Sequence, residues 1–401
     1  MHPSEEIIET KSKYLSNKKI VLAITGSIAA VESVKLSREL IRHGADVIPV
    51  MTHSATKIIH PDSLWFATGK KPIIELTGET EHVSYCGKIK TPVDLLLISP
   101  CTANTISKIA HGIDYSSVTT FATTAIGSKV PIIIVPAMHL SMYDHDILQK
   151  NIKKCEKIGI HFIKPEIKGN KARIADISEI TDNVIRNIYK NDFKNKKILI
   201  IGGSTSEPID DVRIITNRSS GLTAFYLAKN ALYRGADVEV WMGSNTKKIP
   251  DYIKNKRYES NNDLQKMIND KKIKDFDIII IPAAISDYIP QKQSGKIKSG
   301  KKDLKINLKE TDKIIKKIRS KNKKAKIVGF KLESDEKQLK KRAIDLLEKN
   351  NLNMVVANTV SAFNNKKNKI YIFDSEKNMK KYSDRKEKLA EIILNSIKEK
   401  K

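Results

Sequence analysis

The chain has 401 residues and a mass of 45.2 kDa; it is 40% hydrophobic and 30% charged, with a formal net charge of +27. That length predicts two or three domains, and that apolar content excludes a wholly disordered chain. The basic excess is +5 over residues 1–190 and +22 over 191–401, but only 6% of residues are aromatic and none interleaves with the lysine runs, so no base-stacking platform is predicted.

Taken in order, the charged N-terminus lacks an apolar stretch and predicts no secretory signal. Residues 20–25 (IVLAIT) read as a buried strand ending at Gly26, and residues 28–43 carry helical periodicity up to Gly44. Further buried strands are predicted at 45–51, 93–99 and 130–136. The pattern then restarts. Lys18-Lys-Ile-Val-Leu22 is echoed by Lys196-Lys-Ile-Leu-Ile200, and HGADV (43–47) by RGADV (234–238), with a polar seam at 189–196. Second-half strands are predicted at 197–201, 236–241, 277–282, 326–330, 353–357 and 369–373, with a helix over 383–398. The Lys-rich segment 291–326 is predicted to be the least regular part, a mobile loop. Strands alternating with helices define an α/β class. The predicted architecture is two doubly wound, Rossmann-like parallel-sheet domains in tandem, 15–190 and 191–401. No run approaches the ~20 apolar residues that span a bilayer. Three cysteines without a CxxC pattern (Cys86, Cys101, Cys155) fit a reducing cytosol and no disulfide framework.

The chemistry-bearing residues gather at strand ends. In Thr25-Gly26-Ser27-Ile28-Ala-Ala30, backbone N–H groups and the Ser27 hydroxyl at a helix start make a phosphate site. Thr52 and Ser54 follow the second strand and can join it. Ser99-Pro-Cys-Thr102-Ala103-Asn104-Thr105 ends the third strand in small residues against which a flat ring can lie. His82, ahead of that strand, is a candidate acid or base. In the second half, Gly202-Gly203-Ser204-Thr205 forms a generic phosphate turn. Arg213, Asn217, Arg218, Ser219 and Ser220 then precede a helix beginning near Gly221, a stronger anion site.

Together GSIAA, MTxxAT, the His before the third strand, PCTANT and PAMxxxMY resemble the flavin-dependent cysteine decarboxylases. The second half narrows the resemblance to the fused phosphopantothenoylcysteine decarboxylase/phosphopantothenate–cysteine ligase family, over about residues 15–395. It implies bound FMN, His82 as the active-site histidine, and the PAM loop, here with His139, gripping the substrate carboxylate. In the second half it implies a nucleotide-binding strand end at Pro282–Tyr288. There Ala283 and Ala284 line the site, and Asp287 holds Mg2+ or a cytidine hydroxyl. A mobile lysine loop follows at Lys296–Lys302, with Lys298 its functional lysine and Lys296 beside it. Phe330 and Asn358 line the same site. Asn217 would hydrogen-bond an acyl-cytidylate formed from 4′-phosphopantothenate and CTP, whose phosphates Arg213 and Lys298 would neutralise.

The implied assembly is a cytosolic homo-oligomer of trimeric decarboxylase and dimeric ligase units, with a dodecamer satisfying both; neither nucleic acid nor membrane is implied as a partner. Three departures stand out. His139 replaces the family's usual Asn, Leu222 its usual Lys, and the covering flap (165–176) lacks its usual Cys; Lys171 or water would then move the proton. The His139 and flap departures resemble the family's archaeal branch. A ligase carrying a degenerate FMN-binding scaffold is the alternative reading, and a nucleic-acid binder using the basic half a more remote one.

Overall fold

A computed structural model describes residues 2–244, 246–298, 300, 303–359 and 368–398. The chain forms two compact units, 1–190 and 191–401.

In the first unit five strands are all parallel, in the spatial order Asp46–Met51, Lys19–Ile24, Leu95–Cys101, Ile132–Pro136 and His161–Phe162. That order is 2-1-3-4-5, the flavodoxin-like form of the doubly wound, Rossmann-like parallel sheet expected of this half. Its crevice opens where the first and third strands part. The strand Leu95–Cys101 is buried along its whole length, as a strand covered on both faces must be. One face packs Val21, Ala23, Leu96, Ile98, Ile132 and Ile134 against helices Ala103–His111, Ser117–Ser128 and Asp146–Lys157. The helix predicted over 28–43 begins as a 3-10 turn (Ile28–Glu32) before the α-helix Ser33–Arg42. A small three-stranded sheet adds Met138–His139 to the hairpin Glu166–Lys168/Lys171–Arg173.

The second unit's eight strands run Lys254–Tyr258, Asp237–Gly243, Lys197–Gly202, Ile278–Ile281, Lys326–Glu333, Met354–Thr359, Asn368–Asp374 and Met379–Asp384. The first six are parallel in the Rossmann order 3-2-1-4-5-6. The last two are antiparallel, so this sheet is mixed where a parallel one was expected. The link between Met354–Thr359 and Asn368–Asp374 is too short for the crossover a parallel neighbour needs. Alternate residues point to opposite cores. Ile198, Ile200, Ile278 and Ile280 face helices Leu222–Tyr233 and Lys386–Lys398. Leu199, Ile201, Ile279 and Ile281 face helices Asn261–Asn269, Ile314–Lys321 and Glu336–Lys349.

Segment 291–326 is more regular than its composition suggested. It holds the short strand Leu308–Glu310 and helix Ile314–Lys321, whose Ile314 and Ile318 are buried one turn apart. The predicted helix over 383–398 starts at Lys386, because residues 379–384 complete the sheet. Gly44 and Gly235, the echoed helix ends, both have positive φ (99° and 84°), as a left-handed cap requires.

Candidate functional site

The first unit's crevice is a cleft of about 870 Å3. Of the sequence-predicted residues, Gly26, Thr52, Ser54, Thr102, Asn104 and Thr105 line it. Strand ends are stitched together to form it: Thr25 Oγ1 donates to Pro100 O at 2.9 Å and accepts from Thr102 N at 3.0 Å. Thr52 and Thr102 each cap a helix with their hydroxyls. Gly26 is a close approach: a Cβ there would lie 2.5 Å from Ser54 Cβ. Ser27 sits beside the cleft, half-buried, and donates to Ala137 O at 3.0 Å, tying the turn to the PAM loop. Ile28 points outward, 78% exposed. Ser99 is fully buried within its strand and Ala103 nearly so; neither lines the cleft.

Sequence reasoning missed Lys108, Tyr115, Ser116, Ser117, Thr119 and Thr120, which also line it. Their signal was present in the run Ser116-Ser-Val-Thr-Thr120. Ser116 closes a capping box with Thr119 at the start of helix Ser117–Ser128, while Ser117 Oγ donates to Met51 O at 3.0 Å. Lys108 Nζ lies 3.5 Å from the centre of the Tyr115 ring.

His82 lies in helix Glu81–Cys86, outside the cleft lining, and its Nδ1 is buried without a partner among the described residues. His139 is exposed and hydrogen-bonds Ser141 through Nδ1 at 2.8 Å. It stands opposite Lys171 across the small sheet, and Leu140 N donates to Asn170 O at 3.0 Å, so the flap is pinned to the PAM loop. All three cysteines are buried. Burial pushes the Cys86 thiol up to about 12, that of Cys155 up to about 11, and that of Cys101 well above the usual thiol range. Cys155, on helix Asp146–Lys157, packs into the core.

In the second unit a cleft of about 200 Å3 gathers Ser219, Ser220, Gly221, Ala283, Ala284, Phe330 and Asn358 from four separate segments. Gly221 has φ +71°, and a Cβ there would meet Met242 Cε at 2.4 Å, so the loop approaches its neighbours as only glycine permits. Asn217 Nδ2 donates to Ala284 O at 3.1 Å, joining the two loops at the rim. Arg218 and Leu222 of the same anion-site loop also line the cleft, as do Lys331, Asn368 and Lys386, from positions no motif marked.

Gly203, Ser204 and Thr205 do not line it; they build its support. Ala284 N donates to Gly203 O at 2.8 Å, Ser204 bridges to Ala284, and the buried Thr205 hydroxyl meets Ser286 Oγ at 3.0 Å. Arg213 is also outside the lining, ion-paired to the buried Asp210 and bonded to Ile297 O at 3.3 Å. Asp210 Oδ1 accepts from Val212 N (2.8 Å) and Arg213 N (2.6 Å), and Oδ2 from Ile297 N (3.0 Å). These bonds, led by the Ile297 amide, hold its carboxyl well below the usual carboxylate range. Asp211 fastens the same segment through Gly295 N at 2.9 Å and Lys292 at 2.8 Å. The base of the lysine loop is thereby anchored. Lys296 and Lys298 beyond it are exposed; Ser299, Lys301 and Lys302 lie outside the described residues.

Asp287 is exposed and paired with Lys313 at 2.7 Å. Among the described residues no group of three His, Cys, Asp or Glu side chains could hold a metal ion. Among the described residues, no helix is long and apolar enough to cross a membrane.

A flavodoxin-like unit with a hydroxyl-lined cleft, followed by a Rossmann-type unit with a cationic cleft, defines a two-domain α/β flavoprotein. The flavoprotein family matches residues 8–189, and the DNA/pantothenate metabolism flavoprotein C-terminal domain matches residues 193–400. Proteins named coenzyme A biosynthesis bifunctional protein CoaBC align over nearly the whole chain. That of Thermococcus kodakarensis is 42% identical, covering 99% of both chains. That of Methanocaldococcus jannaschii is 40% identical, covering 99% of this chain and 98% of its own. That of Borreliella burgdorferi is 34% identical over 90% of this chain and 94% of its own. The chain belongs to this family of bifunctional coenzyme A biosynthesis enzymes, which pair a phosphopantothenate–cysteine ligase with a phosphopantothenoylcysteine decarboxylase.

Proposed function

We propose that residues 191–401 join cysteine to 4′-phosphopantothenate at the expense of CTP, and that residues 15–190 decarboxylate the product to 4′-phosphopantetheine with FMN. The observation that carries the ligase reading is the convergence of Ser219, Ser220, Gly221, Ala283, Ala284, Phe330 and Asn358 on one cleft that no acidic side chain lines among the described residues. In the first step the substrate carboxylate oxygen attacks the α-phosphorus of CTP and pyrophosphate leaves. In the second the cysteine amine attacks the acyl carbon, CMP leaves and one proton is released. The loop bearing Arg218, Ser219 and Ser220 offers backbone N–H groups and a guanidinium to the departing phosphates. Asn217, at the rim, would hydrogen-bond the acyl intermediate. Lys298, on its anchored loop, would close over the nucleotide, with Mg2+ near Asp287.

The first cleft suits FMN by volume and by donors. Thr52, Ser54, Thr102, Thr105 and Ser116 supply hydroxyls, and the missing Cβ at Gly26 leaves the backbone accessible. Bound there, FMN would supply reversible two-electron chemistry at the thiol-bearing carbon of the substrate, which turns a carboxylate with no electron sink into one that can leave. His82, the histidine marked by the family resemblance, would move a proton, and His139 would hydrogen-bond the carboxylate. No cysteine has the exposure or acidity to protonate the product enethiolate. Lys171, opposite His139, is the side chain that would do so. We place the enzyme in the cytosol as a homo-oligomer of trimeric decarboxylase and paired ligase units.

The test is one mass-spectrometric assay of full-length protein with 4′-phosphopantothenate, cysteine, CTP and Mg2+. Formation of 4′-phosphopantetheine is the expected result. Arrest at 4′-phosphopantothenoylcysteine would leave the first unit a flavin-binding scaffold. No product with CTP or ATP would overturn the ligase reading.

A further inference from the structure

We propose that Lys386 binds the polyphosphate of the activating nucleoside triphosphate. No motif points to it, since it lies some 165 positions beyond Ser220, in the helix that closes the chain. Yet its side chain lines the same cleft as Ser219, Ser220 and Gly221.

Three observations bear on its role. First, Leu389 and Ile393 of the same helix also line the cleft. Spacings of three and seven residues place Lys386 on the inward face of the helix, not on the solvent face that lysines ordinarily occupy. Second, among the described residues the cleft's cations are Arg218, Lys331 and Lys386, and no carboxylate lines it. Lys331 is neutralised by Glu333 at 2.9 Å, whereas among the described residues Lys386 has no carboxylate partner and is half-buried. An unpaired ammonium taken partly out of water is unfavourable until an anion joins it. Third, Lys386 is the first residue of a 13-residue helix, where the positive end of the macrodipole opposes a cation. A bound polyphosphate would reverse the sign of both penalties. The cleft's other half suits the rest of such a ligand: Val356, Ile370 and Phe330 give an apolar floor.

This inference rests on the nucleoside-triphosphate reading of the cleft, and the experiment separates the two. Full-length wild type, Lys386→Gln and Lys386→Arg are assayed for KM of CTP and of cysteine, and for inhibition by inorganic pyrophosphate and by cytidine. A charge-assisted contact to phosphate predicts that Lys386→Gln raises KM for CTP by roughly ten- to a hundred-fold. Pyrophosphate inhibition should weaken by a similar factor. Cytidine inhibition and KM for cysteine should stay at wild-type values, and Lys386→Arg should restore most of the loss. Wild-type CTP and pyrophosphate constants in Lys386→Gln would overturn the proposal, as would equal weakening of cytidine and pyrophosphate, which marks a distorted cleft. If wild type ligates with no nucleotide, the function reading fails by itself. Calorimetry with Mg2+–pyrophosphate then decides Lys386: weaker binding in Lys386→Gln supports the contact, and equal binding refutes it.

Discussion

Replacing Asp210 by Asn tests whether the lysine loop is held in place by one buried carboxylate. The substitution is nearly isosteric, but Asp210 accepts four hydrogen bonds: from Val212 N, Arg213 N, the Arg213 guanidinium and Ile297 N. An Asn side chain has one acceptor oxygen, so whichever way its amide turns, its NH2 faces two donors. Hydrogen bonds to a charged acceptor are worth about 1.5–3 kcal/mol each. Arg213 is 39% exposed and can recover water, so the net loss is smaller than the sum. A loss of about 2–3 kcal/mol in local stability corresponds to roughly 30- to 150-fold more frequent opening of the loop base. Hydrogen exchange at the Ile297 and Gly295 amides reads this directly, and KM for CTP should rise with it. The carboxyl is depressed in the folded state, so protection in the wild type should be constant from pH 8 down to about pH 4.5, below which the opened loop's carboxyl begins to protonate and protection falls. Wild-type exchange at Ile297 in Asp210→Asn would refute the anchoring role.

Four other outcomes are expected. Gly26→Val drives a side chain into Ser54 and should weaken flavin retention at least ten-fold, read by flavin absorbance, while ligation continues. Asp192→Ala strands the Arg234 guanidinium, 2% exposed and bonded to Asp192 at 2.7 and 2.9 Å; it should cost about 3–5 kcal/mol in thermal unfolding, whereas the apolar pair Asp192→Leu with Arg234→Met recovers most of this. Burial would raise the Asp192 carboxyl, but Arg234 and Lys398 outweigh it and bring it to about 2; a hydrogen bond from His43, then Lys11, brings Glu39 to about 2. Both are depressed in the folded state, so their stabilisation is complete above about pH 4.5 and should fade in acid titration between there and pH 2. Iodoacetamide at pH 8 should leave decarboxylation intact, since no thiol is exposed or acidic; rapid inactivation would overturn the structural reading of the cysteines.

The buried strands were legible because continuous apolar runs such as Leu95–Ile98 and Ile278–Ile281 are stable only when both faces of the strand are covered. Edge strands were not. Lys254–Tyr258 buries only Tyr258, and Met379–Asp384 buries none of its six residues, so neither shows an apolar signal. Helix Ile314–Lys321 was hidden by its lysines, although Ile314 and Ile318 fall one turn apart. In the sites, the glycine turns and small-residue strand ends could be read because their spacing is local. Ser204, Thr205 and Arg213 read as ligand contacts because hydroxyls and guanidiniums look alike whether they meet a phosphate or a neighbouring loop. Lys108 and Lys386 join their clefts from helices, and only the packing of those helices reveals where they point.

The polar outer strands of the second sheet also bear on the net charge. An open sheet ends in unpaired N–H and C=O groups that invite pairing with another chain. Here one border strand is Lys254-Asn-Lys256-Arg257-Tyr258, and the other contains Lys380 and Lys381. Lys254 and Lys256 pair with Asp237 and Glu239 of the neighbouring strand, so both borders present charged and polar side chains in place of an apolar row, which disfavours a second copy adding to the ladder. Some of the lysine excess thus acts as insulation for an eight-stranded sheet, and an enzyme stripped of these lysines would be expected to fibrillate before it lost its chemistry.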